Sequence, residues 1–347
     1  MEVETPRVSI IILNWNGWKD TIECLESLYN ISYSNYDVIV IDNGSRDGSV
    51  ELILKYAEGN LAVDSKFFKF SKDGKPIVAW KCVREEAEWG VCPGENITAL
   101  PSNRRMIIIE NDKNYGFAEG SNIGIRYASN IFNPDYMLLL NNDTVVNKDF
   151  LTILVNFAES DKTIGFAGPI LYYYDYQGKP NVINAAGMHL DMWKGVHVNN
   201  GLFEIDEGQY AQPKDVDYVE GSCMLVRRIA LEKIGLLNTK YFAYWEETDL
   251  CRRGLRAGYR CVYVPKSKVW HKVSASSMNI ARVYYLTRNR IWFMRGNATK
   301  FQLAFFFCYY VSYQLWREIW FYVGSRDFSN LPALFRGVID GWIGKDH

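Results

Sequence analysis

The chain has almost no net charge: 39 basic side chains stand against 40 acidic ones in 347 residues, a formal −1. Nucleic-acid binders normally carry a basic excess, so nucleic acid is not an expected partner. Paired cysteines are missing as well. The seven cysteines, at positions 24, 82, 92, 223, 251, 261 and 308, are odd in number and include no C-x-x-C pair. That usage speaks against a structural zinc site or a disulfide framework and suits a reducing compartment. The opening MEVETPR carries two acids and leads straight into a strand-like run, so no signal peptide is expected. No apolar run approaches the 20 or so residues of a comfortable membrane span. The best candidate, Leu303 to Trp316, ends after 14 residues at Arg317. Disorder is excluded by a composition that is 48% hydrophobic and 15% aromatic. The length suits one large or two ordinary domains with a substantial core.

The chain alternates short β-branched runs with helical patterns. Val8 to Leu13 is a buried-strand run closed by Asn14-Trp15-Asn16-Gly17, and Ile22, Leu25, Leu28 and Tyr29 then follow a helical spacing. Val38 to Ile41 is a second strand, ending on Asp42-Asn43-Gly44-Ser45, with a helix from about Ser49 to Glu58. Met106 to Ile109 and Tyr136 to Leu140 read as further strands, each followed by a helix, Phe117 to Ala128 and about Lys148 to Ser160. This order predicts an α/β fold with a mostly parallel sheet and helices on both faces. Residues 59–105 break the rhythm and read as an insertion with a small hairpin around Lys72-Asp73-Gly74-Lys75, its Cys82 and Cys92 both reduced.

Polar residues gather where the strands end: Asn14 and Asn16, Asp42 and Asn43, Asn141, Asn142 and Asp143. Ligands of open α/β sheets sit outside the carboxyl ends of the strands, so three such ends are hard to explain by packing. Any one of them alone would be an ordinary turn or helix cap. A carboxylate at Asp143, in a nucleotide-binding sheet, suits a hard divalent cation that bridges phosphate oxygens.

A second cluster is Glu246-Glu247-Thr248-Asp249, preceded by Tyr241, Phe242, Tyr244 and Trp245 and followed by Arg252 and Arg253. An acidic first helical turn paired with those arginines would be purely structural. Aromatic neighbours, however, would desolvate a carboxylate and raise its pKa toward that of a general base. His271, one of only four histidines, stands just beyond a strand expected at Cys261 to Val264, and either a structural or a metal-ligating role suits it. Gly116, Gly120 and Gly124 have the wrong spacing for a dinucleotide fingerprint. They give a smooth helix face for close approach of a backbone or a sugar.

The order VSIIILNWNG, VIVIDNGSRDGS, NYGFAEGSNIG, LLLNNDT, EGSCMLVRR and FAYWEETDLCRR resembles the family 2 glycosyltransferases, and within them the rhamnosyltransferase-like members with a GT-A fold. The resemblance covers about residues 7 to 295. It implies that Asn14 and Asp42 hold the nucleoside of a nucleotide-sugar, with Asn114, Gly116 and Asn122 along the donor site. Asn16, Asn43 and Asn142 stand in the same strand-end clusters and join that donor-binding set. Asp143 is similar to the last residue of the family's D-x-D motif and would hold Mg²⁺ or Mn²⁺ on the diphosphate. Asn141 takes the first position of that motif, and His271 looks like a late histidine that completes the metal site. E-E-T-D stands where the family has E-D-x-D, placing Glu247 at the base position, with Glu246 and Asp249 as alternative proton acceptors. The implied reaction inverts the anomeric carbon as a glycan or lipid-linked glycan acceptor attacks it.

Residues 282 to 336 differ from the rest. Eight basic side chains against two acidic ones leave a surplus of six over 55 residues, and 17 of the 52 aromatics lie there. The remaining body is acidic. The expected organisation is a catalytic domain over 1–281 and a helical segment over 282–347. Basic, Trp- and Tyr-rich helices tend to lie in a membrane interface. Attachment to an anionic membrane surface at the cytoplasmic face is therefore the expectation. Packing on the catalytic domain or a homo-oligomer interface is the alternative. Two rival functions remain: a non-catalytic glycan-binding protein of the same fold, and a sugar-nucleotide nucleotidyltransferase. The second would need a glycine- and lysine-rich loop after the first strand, which Asn14-Trp15-Asn16-Gly17 does not supply.

Overall fold

The computed structural model describes residues 5–92, 94–273 and 280–344. Its first half is built as the alternation predicts: β1 (Val8–Asn14), α1 (Trp18–Tyr29), β2 (Tyr36–Asp42), α2 (Ser49–Ala57), β3 (Val78–Val83), α3 (Arg84–Glu88), α4 (Glu95–Thr98), β4 (Arg105–Glu110), α5 (Gly116–Ile131) and β5 (Tyr136–Asn141). These strands lie in the order β5-β1-β2-β4-β3, all parallel. Side chains alternate across β1, with Ile10 and Ile12 facing one core and Ile11 the other, so both faces of the sheet are buried. Registers Asn14↔Asp42, Leu13↔Asn141 and Asp42↔Glu110 bring the polar strand ends to one edge.

The stretch 59–105 differs from the expected hairpin. Lys75 N–H donates to Lys72 C=O at 2.9 Å, so the turn forms, but its flanks do not pair. Val78–Val83 instead joins β4 in parallel and becomes the edge strand of the main sheet. Lys75 anchors the turn, 3.0 Å from the buried Glu26 carboxylate and over the Tyr56 ring. Cys82 and Cys92 are free thiols, as are the other five cysteines.

The second half adds β6 (Thr144–Val146), α6 (Phe150–Glu159), β7 (Ile164–Tyr173), β8 (Ile183–Ala185), β9 (Met188–Asp191), β10 (Val196–Asn199), β11 (Lys214–Val216), β12 (Cys223–Arg227), α7 (Arg228–Ile234), α8 (Glu246–Arg256) and β13 (Arg260–His271). β12 enters antiparallel between β5 and β7, and β13 pairs with β7 in parallel. β13 is longer than its apolar run suggests. It bulges between Val264 and Lys268, where Pro265 has no N–H to donate, then resumes, so that His271 is its last residue rather than beyond it.

Four helices close the chain: α9 (Ile280–Asn297), α10 (Lys300–Tyr309), α11 (Leu315–Gly324) and α12 (Leu331–Ile343). A π-helical turn over Tyr310–Gln314 joins α10 to α11 in one continuous rod. Its inward residues Phe306, Tyr310, Gln314 and Tyr322 recur in steps of four or eight. That period exceeds 3.6, and the wider turn keeps the row facing inward. Gly337 and Gly341 of α12 lie on α9, where an added Cβ would come within 2.9 Å of the Tyr284 carbonyl and of Ile291 respectively. Among the described residues, no helix is long and apolar enough to cross a membrane.

The glycine series of α5 is packed against the sheet rather than open to a sugar. A Cβ on Gly120 would meet Leu13 at 2.6 Å, and one on Gly124 would meet Ile11 at 2.7 Å. Gly124→Val should therefore cost about 1–3 kcal/mol of overpacking and lower the thermal midpoint. A melting temperature equal to that of the parent protein would contradict this packing.

Candidate active site

Most of the strand-end amides form an internal lattice. Asn14 is fully buried; its Nδ2 donates to Asp42 Oδ1 at 2.7 Å and Ser45 Oγ at 3.1 Å, while its Oδ1 accepts from Thr21 Oγ1. Asp42 Oδ2 accepts from the Ser45 N–H at 2.9 Å. Asn43 is equally committed, donating to Asn114 Oδ1 and the Gly116 carbonyl and accepting from Asn111 Nδ2 and the Tyr115 N–H. Asn16 is exposed, with a left-handed backbone, and its Oδ1 accepts from the Arg46 N–H. Asn142 Nδ2 bonds to Thr21 Oγ1 at 3.0 Å. These contacts weld the loops after β1, β2 and β5 into one rim. Asn122 is apart from that rim: its amide makes a two-way pairing with the Leu237 backbone, at 2.8 and 3.1 Å.

A second group of residues does converge. Asn141, Asp143 and His271 line a cavity of about 450 Å³ together with Glu220, Glu246 and Glu247. Asp143 Oδ1 lies 3.1 Å from His271 Nε2. β6 pairs antiparallel with β13, Thr144 opposite His271, which sets the two side chains together. Burial disfavours the imidazolium of His271, but the Asp143 and Glu220 carboxylates outweigh it and raise its pKa. The donor set, one carboxylate oxygen and one imidazole nitrogen, is one that a divalent cation such as Mn²⁺ would accept. Among the described residues, no three His, Cys, Asp or Glu side chains form a complete metal cage.

The three carboxylates of the acidic cluster part company. Asp249 Oδ2 accepts from Arg253 Nε at 2.8 Å, and Arg253 also donates to the carbonyls of Ile234 and Leu236. Asp249 is thereby occupied as a helix-to-loop tie. Glu246 is buried, its Oε2 has no hydrogen-bond partner, and burial holds its carboxyl well above the usual range. Glu247 faces the cavity, and burial pushes it up to about 7. The Thr248 hydroxyl donates to its carboxylate at 3.3 Å.

Sequence reasoning missed three contributors. Glu220 stands in the E-G-S run; its buried Oε2 has no hydrogen-bond partner, and burial raises its pKa. His197, from β10, stacks on Trp245 with ring centroids 4.1 Å apart and bonds through Nε2 to Thr248 Oγ1. Burial lowers it to about 4, so it is neutral near pH 7. The scarcity of histidine was the only signal available for it. The third is the pair Arg288 and Asn289 on α9. Phe242, Tyr244 and Trp245 all have positive φ, at 64°, 70° and 78°, a backbone region costly for large side chains. Asn289 Nδ2 lies 2.8 Å from the carbonyls of Tyr241, Ala243 and Tyr244, and the buried Arg288 donates to those of Lys240 and Tyr241. A polar R-N-R triplet inside an aromatic helix is the trace this clamp leaves in the sequence.

Comparison with known proteins agrees with the geometry. Residues 9–82 match the family described as Glycosyl transferase family 2, and residues 92–289 match Glycosyltransferase like family 2. The chain is 28% identical over 156 residues to the low-salt glycan biosynthesis hexosyltransferase Agl10 of Haloferax volcanii, covering 43% of this chain and 46% of that protein. It is 28% identical to the N-acetylglucosaminyl-diphospho-decaprenol L-rhamnosyltransferase of Mycobacterium tuberculosis, over 41% of this chain and 48% of that one. The matched region thus spans about half the length of these curated relatives. The mannosyltransferase PcManGT from Pyrobaculum calidifontis, solved with GDP-Man and Mn²⁺, superposes with a TM-score of 0.59 at 14% identity, covering 99% of this chain and 89% of that one. The fold is GT-A, as the motif order implied.

The Asn289 clamp predicts a stability effect. Asn289→Ala strips the donor from three loop carbonyls and should cost roughly 1–3 kcal/mol in chemical denaturation. It should also change the near-ultraviolet circular dichroism of the packed Trp245. An unaltered spectrum and midpoint would show that the loop holds itself.

Proposed function

We propose that this chain, which belongs to glycosyltransferase family 2, moves a hexosyl or rhamnosyl group from a nucleotide-sugar to a glycan hydroxyl with inversion. The observation that carries the reading is one cavity lined by Asp143, His271 and Glu247 together. The acceptor is a lipid-linked or cell-surface glycan. Supporting this, one relative is named for rhamnosyl transfer to N-acetylglucosaminyl-diphospho-decaprenol and another for hexosyl transfer in glycan biosynthesis.

Glu247 is the base. Asp249 is taken up by Arg253, and Glu246 is too deeply buried to ionise readily, whereas Glu247 meets the cavity with a pKa raised to about 7. The acceptor O–H gives its proton to the Glu247 carboxylate as its oxygen forms the bond to the anomeric carbon. The bond from that carbon to the donor phosphate oxygen breaks, and the nucleoside diphosphate leaves with the electron pair. A single displacement of this kind inverts the centre. Asp143 and His271 would hold a divalent cation, with Asn141 beside them, and the cation when bound would neutralise charge on the diphosphate. Asp42, fixed by Asn14 and Ser45, is positioned for the nucleoside; Asn16, Asn43, Asn114, Gly116 and Asn142 shape the rim around it, and Asn122 supports the site from behind through Leu237.

Glu247→Gln should lower kcat by roughly 10²–10⁴-fold with the fold intact, and Asp143→Ala should nearly abolish transfer, measured on a nucleotide-sugar panel with and without Mn²⁺. A Glu247→Gln enzyme that turns over normally overturns the base assignment. Since the working form of Glu247 is ionised, kcat should rise with pH up to about 7 and level off above it. A rate flat from pH 5 to 8 would contradict that.

The α10–α11 rod is proposed to lie on an anionic membrane surface. Phe301 is 82% exposed and Trp320 70%, and Trp316 is also exposed, all on a basic segment. In co-sedimentation, the protein should bind phosphatidylserine-containing vesicles and detach as salt rises. Equal recovery with neutral vesicles would remove the electrostatic part of this reading.

A further inference from the structure

A second cavity, of about 490 Å³, lies behind the active site between β10, α9 and the α10–α11 rod. It shares His197, Trp245 and Leu286 with the cavity that holds Glu247, so the two adjoin at these residues. Its lining is chiefly apolar and aromatic, with Val283, Tyr310, Phe321 and Tyr322 facing in. Phe321 is also 60% exposed, which places the mouth of the cavity at the aromatic outer face of the rod.

Inside this apolar wall sits Arg290, only 7% exposed. One guanidinium nitrogen, Nη2, donates to the Lys194 carbonyl at 2.7 Å. Nη1 lies 3.5 Å from Glu318, whose carboxylate already accepts from Gln314 Nε2 at 2.7 Å, and Nε has no partner. The rings of Phe306 and Tyr310 lie 5.5 and 5.2 Å from its guanidinium carbon, and with Nε unpaired and Glu318 shared with Gln314, an anion with phosphate geometry would complete the pairing. Arg317 lines the same cavity from an exposed position, so two guanidinium groups face one carboxylate.

We propose that this cavity is the acceptor subsite for the part beyond the sugar: a phosphate or diphosphate held at Arg290, followed by an apolar chain along Phe321 and Tyr322. The inference rests on the transferase reading above and adds the place in the fold, and the side chains, that would hold the acceptor's aglycone. The acceptor sugar lies at Glu247, its phosphate passes behind Trp245, and its chain leaves toward the surface that the rod presents to a membrane.

The test uses the full-length protein without detergent or vesicles and farnesyl diphosphate as a soluble probe, titrated by tryptophan fluorescence. Saturable binding is expected, at least about tenfold tighter than for pyrophosphate or farnesol alone. Arg290→Gln and Phe321→Asp should each weaken it by about tenfold or more, whereas Asp143→Ala should leave it unchanged. Arg290 is buried, so if Arg290→Gln fails to fold, Phe321→Asp at an exposed position decides the matter. Absence of binding, binding untouched by Phe321→Asp, or binding lost in Asp143→Ala overturns the proposal, the last by locating the probe at the donor side. Hydrolysis of the nucleotide-sugar by the same preparations separates the two readings. Its presence without farnesyl diphosphate binding sinks the subsite alone, and its absence in the parent protein sinks the transferase reading.

Discussion

The structure turns on a backbone that would not hold its shape unaided. Three large residues, Phe242, Tyr244 and Trp245, sit in the left-handed region, each at a cost of order 1–3 kcal/mol. Asn289 and Arg288 hold the carbonyls of that loop from behind, and Phe242 C=O in turn accepts from the Ala118 N–H at the start of α5. Gly116 is required there, since a Cβ would lie 2.5 Å from the Phe242 oxygen and its φ is +79°. The strand-end rim, acidic helix and C-terminal helices therefore meet at this loop. The C-terminal segment is part of the site's framework as well as a surface feature.

That loop also explains how one acidic run yields three different carboxylates. It delivers Glu246 and Glu247 to the N-terminus of α8, where free N–H groups and the helix dipole favour negative charge. Glu246, also at the cavity wall, is more deeply buried and loses its solvation. Asp249, one turn on, meets Arg253 and stays paired. Glu247 is left at the boundary between protein and cavity, where desolvation lifts its pKa without a cation to lower it again. Residue type and spacing are nearly the same for all three; their surroundings are not.

Much of this was legible in the sequence. The runs at Val8, Val38, Met106 and Tyr136 are short, β-branched and closed by Asn, Asp or Gly, and such local patterns suffice to predict parallel strands with a polar edge. The pairing of Asp143 with His271 followed from motif order before any distance was known. Local reading failed where long-range contacts decided. Val78–Val83 reads as part of an insertion, because nothing near it announces that β4 offers a free edge. Gly120 and Gly124 read as a smooth face for either a backbone or a sugar, and the strands of the sheet take it.

By itself, then, the sequence determined the fold class, the polar strand ends, the acidic cluster and a basic, aromatic C-terminal segment, because each is written in residues close together in the chain. Tertiary structure decided which of those groups remain available. Asn14 and Asn43 spend their amides on neighbouring loops, Asp249 is claimed by Arg253, and Glu247 stays open. It also brought in His197 and Asn289, whose partners lie 51 and up to 48 residues away. Burial and pairing are properties of the packed chain, and they give neighbouring carboxylates of one acidic run different surroundings.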